Sequence, residues 1–153
     1  VTPTLAEAVL WAHAISSGGM FGVIWFVQVV HYPLFARVGA DAFAAYESTH
    51  QSRTSIIVAP LMLAQAACAL SVWVIPGTAA WWAPTATLLT AATWALTFLV
   101  SVPLHARLSG GFDARAVRLL VLTNWPRTAA WTAHFVVSLW MLAEGVAGRE
   151  GAA

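Results

Sequence analysis

The sequence predicts an all-α membrane protein, a bundle of four transmembrane helices with a short interfacial helix on its cytoplasmic side, and three observations lead there. About 60% of the 153 residues are apolar and only 8% are charged, whereas a soluble domain carries roughly a quarter charged residues. Nine tryptophans accompany this composition. Four separate runs reach the length of about 20 mostly apolar residues needed to cross a hydrocarbon core of about 30 Å. Because lipid offers no partners to backbone N–H and C=O groups, such runs are helices rather than strands. The whole chain, 1–153, reads as one domain, with no internal repeat, low-complexity tract or flexible linker.

The spans run from Ala8 to Val30, Thr54 to Ile75, Pro84 to Leu104 and Pro126 to Gly145. Pro84 and Pro126 sit at helix starts, where a missing N–H costs nothing, and Thr123 or Asn124 is placed to cap the fourth span. Pro60 falls inside the second span, where it should kink the helix, and Pro76 follows its end as a stop. Asp41 to Arg53 extends the second span below the membrane as a helix. Phe112 to Leu122 sets Phe112, Ala116, Leu119 and Leu120 against Arg115 and Arg118, which reads as the short interfacial helix. The N-terminal stretch, with Glu7 and no basic cluster, reads as a retained membrane helix rather than a signal peptide.

Orientation follows from the arginines. Arg37 and Arg53 lie between spans one and two, and Arg107, Arg115, Arg118 and Arg127 between spans three and four, leaving only Arg149 on the other side. An excess of this kind marks cytoplasmic loops, so both termini face out, in a bacterial inner membrane. The outer connection, Gly77 to Trp82, carries no charge, and Trp73, Trp81, Trp82 and Trp140 suit an interfacial belt. Net charge near +1 leaves no footprint for nucleic acid. The single cysteine, Cys68, excludes an intrachain disulfide.

Polar residues recur at helical spacing within the apolar runs. Span three aligns Thr87, Thr90, Trp94, Thr97, Ser101 and His105, and span four aligns Asn124, Arg127, Trp131, His134 and Ser138. Such residues face the bundle interior, because a charged group against lipid costs roughly 2.5–3.5 kcal/mol. Most of the hydroxyls read as interhelical glue. Ala14, Gly18 and Gly22 form a ridge for close helix packing inside the bundle, with a dimer seam as the alternative.

The histidines carry the functional reading. His31, His50 and His105 fall at the cytoplasmic ends of three different spans, with His134 about 10 Å deeper. Imidazoles from separate helices can ligate zinc, copper or iron, and one or two suffice for haem. The expected metal set is His31, His50 and His105. His134, Arg53 and Arg127 complete the expected cofactor-binding set, the arginines clamping an anionic group. Tyr32, Tyr46, Glu47 and Asn124 stand by as supporting partners or a proton path. His13, about 27 Å of helix away from His31, belongs to the outer half and serves structure. No H-E-x-x-H, paired C-x-x-C or phosphate loop is present.

Two stretches, Trp25 to Phe35 (WFVQVVHYPLF) and Thr123 to Thr128 (TNWPRT), resemble segments of small bacterial four-helix membrane proteins without assigned function. A fainter resemblance is to membrane haem-biosynthesis oxidases of the protoporphyrinogen type, in which a histidine early in span one, here His13, and a lysine are associated with haem. This chain has no lysine. Anthrone-oxygenase-like proteins share the size and span count. The expected function is a membrane-embedded redox protein holding haem or a transition metal. The alternative is a non-catalytic accessory subunit of a larger membrane assembly, respiratory, photosynthetic or pigment-binding. A homo-oligomer and a small transporter are further readings.

Overall fold

A computed structural model of the chain describes residues 4–75 and 80–150, with side chains up to Gly148. The expected stop at Pro76 and the stretch Gly77 to Ala79 lie outside the described residues. All regular structure among the described residues is helical, and four helices are long and apolar enough to cross a membrane: Leu5–Phe35, Ala40–Ser71, Trp82–Leu108 and Ala114–Gly148.

The first span opens with α1 (Leu5–Phe26), whose start is fixed by a reciprocal cap. Thr4 Oγ1 accepts from the Glu7 backbone N–H at 3.3 Å, and the Glu7 carboxylate accepts from the Thr4 N–H at 2.8 Å. α1 then widens into a π-turn over Val27–His31 before the one-turn α2 (Tyr32–Phe35). The cause is Pro33, whose ring has no N–H and collides with an ordinary preceding turn. In the widened turn Tyr32 N–H reaches back five residues to the Val27 carbonyl.

The third span repeats this design. α4 (Trp82–Leu96) widens into a π-turn over Thr97–Ser101 just before Pro103, and α5 (Val102–Leu108) completes it. Pro33-Leu34-Phe35-Ala36-Arg37-Val38 and Pro103-Leu104-His105-Ala106-Arg107-Leu108 match at four of six positions, offset by 70 residues, as the two π-turns are. Each π-bulged span is followed by a long helix with an internal proline: α3 (Ala40–Ser71) with Pro60, and α6 (Ala114–Glu150) with Pro126. Each half of the chain thus has the same order of elements, a π-bulged span followed by a long helix with an internal proline.

The continuity of α3 from Ala40 agrees with the helical extension read over Asp41 to Arg53. The fourth span corrects the sequence reading in three ways. Phe112 to Leu122 gives no separate interfacial helix: α6 begins at Ala114 and runs unbroken, because Ala116, Val117 and Leu120 are buried in the bundle instead of lying on its surface. Pro126 is inside the helix rather than at its start. Thr123 and Asn124 are not caps; Thr123 bonds the Leu119 carbonyl and Asn124 is buried against Gln28. The cap is Asp113, whose Oδ1 accepts from the N–H groups of Arg115 (2.9 Å) and Ala116 (3.0 Å), while Arg107 Nε donates to Oδ2 at 2.7 Å.

The Ala116 N–H and the Arg107 guanidinium hold the Asp113 carboxyl below the usual carboxylate range. A depressed carboxylate contributes stability that is present above its unfolded pKa and lost as pH falls through the folded one. Asp113→Ala is accordingly expected to lower the melting temperature in detergent at pH 7, and the deficit should vanish in strong acid, where wild type has lost the same bonds.

Three apolar layers fill the bundle. Leu10, Ala69, Trp82, Ala86 and Met141 close the end where α1 begins and α6 finishes, hereafter the terminal end. Met20, Ile24, Met62 and Trp131 form the middle. Tyr32, Phe35, Phe43, Leu108, Val117 and Leu120 close the opposite, arginine-bearing end. α1 packs most extensively on α6 and α3. The small-residue ridge serves that packing: a Cβ on Gly18 would come within 2.9 Å of Phe135 on α6, whereas one on Gly22 would meet nothing within 4 Å.

Candidate functional site

The arginine end gathers most of the expected site. Phe35, fully buried, is its hub, with ring centroids 5.2 Å from both His31 and His50, 5.5 Å from Tyr46 and 5.4 Å from Tyr32. The π-turns explain how the site is assembled. Each adds one residue to its turn and so rotates the remainder of its span by about 100° relative to an unbroken α-helix. His31 closes the first π-turn, and His105 lies one turn past the second.

Two hydrogen-bonded strings result. In the first, His105 Nδ1 lies 2.6 Å from Glu47 Oε1 and His105 Nε2 lies 2.8 Å from the Tyr32 hydroxyl. With Glu47 ionised, the imidazole donates to the carboxylate from Nδ1 and accepts the Tyr32 proton at Nε2. That is the carboxylate–imidazole–hydroxyl order in which a base activates an oxygen acid. Glu47 is fully buried, and Gln51 donates to the same oxygen at 3.0 Å. Arg127 shares the lining of a small cavity with Tyr32, and its Nε is buried with no partner among the described residues. In the second string, His31 Nε2 and His50 Nδ1 share a hydrogen bond of 2.8 Å, and Thr54 Oγ1 lies 3.1 Å from the same His50 nitrogen.

Two cavities meet at His50. One is a groove of about 500 Å³ between α1 and α3, with Phe26, His31, Tyr46, His50 and Arg53 around its polar part and Gly22, Val23, Ile57 and Val58 along its apolar part. The other, about 150 Å³, has Tyr32, His50, Thr54, Ser101, His105 and Arg127 in its walls, polar enough and large enough for water. The groove's rim residues Phe26 and Ile57 are exposed, so it opens where lipid tails would lie. Its walls are flat: His31 lies 24° from the Phe26 plane and 31° from that of Tyr46.

The expectation that His31, His50 and His105 ligate one metal ion fits this geometry poorly. The three rings do come together, with His50 and His105 centroids 5.3 Å apart, but His105 spends both nitrogens on Glu47 and Tyr32. Among the described residues no group of three His, Cys, Asp or Glu side chains is arranged to hold a metal ion. Arg53 and Arg127 stand where expected, at the groove and at the smaller cavity. His134 does not join them. Its partners are His13, Gln65 and Trp131, in a separate polar layer nearer the middle of the bundle.

The WFVQVVHYPLF and TNWPRT segments pack on each other. Trp25 meets Trp125 edge-on at 6.0 Å, Trp25 Nε1 donates to Thr132 at 3.0 Å, and Asn124 Nδ2 donates to Gln28 Oε1 at 2.8 Å. Gln28 sits in the first π-turn, so this contact ties that turn to α6. No protein-family model, curated protein or solved structure matches the chain. The fold and composition define a multi-pass, all-α membrane bundle of two hairpins.

Proposed function

We propose that the chain is a membrane redox protein whose arginine-end site binds a quinone-class lipid and exchanges protons with the oxygens of its head group. The single observation that carries this reading is the groove of about 500 Å³, apolar along one part and lined by imidazole and phenol rings at the other. Its size is that of a typical small-molecule site. The near-parallel rings suit a flat head group, and the exposed apolar rim suits a long tail left in the bilayer. A phospholipid fits less well, because a phosphate favours several cations and, among the described residues, Arg53 is the only Arg or Lys lining the groove.

Reduction of a quinone takes two electrons and two protons. In this reading His31 and His50 exchange protons with the ring oxygens, and Arg53 faces the negative charge that builds up there. The Glu47–His105–Tyr32 string with Arg127 lies behind His50 and leads protons between the groove and the smaller cavity. The electrons come from a partner redox subunit, which joins the redox and accessory-subunit expectations. In this reading the arginine-bearing end faces the cytoplasm and both termini lie outside, in a bacterial inner membrane; the arginine excess of the two loops supports that orientation.

Titrating the purified protein with decyl-ubiquinone, followed by quenching of tryptophan fluorescence, is expected to show saturable binding that His50→Ala weakens about tenfold, or about 1.4 kcal/mol. A wild-type protein that binds no quinone, or one that purifies with a Soret band lost in His31→Ala or His50→Ala, would replace this reading with another, haem in the second case.

A further inference from the structure

Between the terminal-end and middle apolar layers, one polar side chain from each of the four spans meets the others. His13 on α1 and His134 on α6 face each other with their Nε2 atoms 2.9 Å apart, rings edge-on at 85°. The Gln65 amide nitrogen on α3 lies 2.8 Å from the same His134 nitrogen and 2.7 Å from Thr90 Oγ1 on α4. His13, Gln65 and His134 are all fully buried.

This arrangement does not satisfy itself. A neutral imidazole nitrogen offers one N–H or one in-plane lone pair, so His134 Nε2 cannot serve two partners well. Thr90 already donates to the Ala86 carbonyl. His13 Nδ1, Ser17 Oγ, Gln65 Oε1 and Trp131 Nε1 are buried with no partner among the described residues. Unpaired polar atoms at this depth are costly, and a cluster of them points to a missing occupant.

A metal cation resolves the conflict at His134 Nε2. It takes the Nε2 lone pairs of both imidazoles, which moves each ring proton to Nδ1. Gln65 adds its carbonyl oxygen after a half-turn of the amide, an exchange of ends that leaves the amide's shape unchanged; the Thr90 hydroxyl, 2.7 Å from that end, then turns its proton from the Ala86 carbonyl to the Gln65 oxygen. His13 Nδ1 then carries a proton, with the unpartnered Ser17 hydroxyl one helical turn away. Metal–imidazole bonds of about 2.0–2.1 Å require the rings, now 2.9 Å apart at Nε2, to part by roughly 0.6–0.7 Å in a trigonal site and by roughly 1.2 Å if the ion takes the two imidazoles alone.

The charge of the ion is set by its surroundings. All three donors are neutral, and the cost of burying an ion in a low-dielectric interior rises with the square of its charge. A singly charged ion is therefore favoured over zinc(II), and among the metals that imidazole suits, copper has a stable +1 state. We propose that His13 and His134, with Gln65 as third donor, form a buried copper(I) site separate from the groove.

The test is an anaerobic titration of the full-length protein in detergent with copper(I) against a chromogenic chelator, together with copper-edge X-ray absorption of the loaded wild type. One copper per chain is expected, coordinated by two or three N/O atoms with imidazole outer-shell scattering. His13→Leu and His134→Leu, chosen to keep the layer filled, should each weaken binding at least 100-fold, Gln65→Leu about tenfold, and His31→Ala and His50→Ala not at all. Gln65→Glu, which supplies an anion, should raise zinc(II) affinity. The proposal fails if monodisperse wild type takes up no copper(I), if the spectrum lacks imidazole scattering, or if uptake survives in both leucine variants. It fails equally if uptake depends on His31 or His50 instead.

Discussion

Gly22→Leu is expected to weaken decyl-ubiquinone binding by at least about tenfold, about 1.4 kcal/mol, while leaving the melting temperature of the protein unchanged. A Cβ at this position would meet no atom within 4 Å, and Gly22 lines the groove, so a larger side chain has the groove to extend into. Leucine also has a higher helix propensity than glycine, which offsets any small loss. Gly18→Leu is the control. There a Cβ would press within 2.9 Å of Phe135, so this variant should lose stability. Equal quinone affinity in Gly22→Leu and wild type would mean that the groove is not where the head group binds.

The largest effect on stability is expected for Trp131→Ala. Trp131 is fully buried among Met20, Ile24 and Met62 and stacks on His134, with centroids 5.7 Å apart at 20°. Truncating a buried tryptophan costs about 3–5 kcal/mol through lost contacts and the cavity left behind. The loss should appear as a lowered midpoint in a denaturant titration carried out in detergent, and Trp131→Phe should recover a substantial part of it. A loss under about 1 kcal/mol would mean that lipid or neighbouring side chains refill the layer.

The bundle is legible in the sequence because the apolar runs outlast any soluble helix and because prolines and arginines punctuate them. The meeting of His31, His50 and His105 is legible from their shared depth at the ends of three spans. Local pattern fails where the answer depends on partners distant in sequence. Taking Pro126 as a helix start leaves His134 only about 10 Å below the layer of His31, His50 and His105, close enough to be grouped with them. With α6 starting at Ala114, that residue lies 20 positions into the helix, about 30 Å along it, and pairs with His13 across the bundle. The π-turns leave only an indirect signal, a proline two residues past each. Gln65 has a signal that is easily passed over, since a lone amide in an apolar run asks for a partner. The role of Phe35 as hub has no signal at all, because a buried phenylalanine in an apolar helix ordinarily needs no explanation.

The central claim, a lateral quinone site at the arginine end, is tested most directly by photoaffinity labelling in lipid vesicles with an azido-quinone, followed by peptide mapping. Label confined to Gly22–His31 and Tyr46–Val58, and displaced by excess decyl-ubiquinone, is the predicted result. Label spread evenly over outward apolar residues such as Leu88, Leu99 and Leu139, with no displacement, would contradict it.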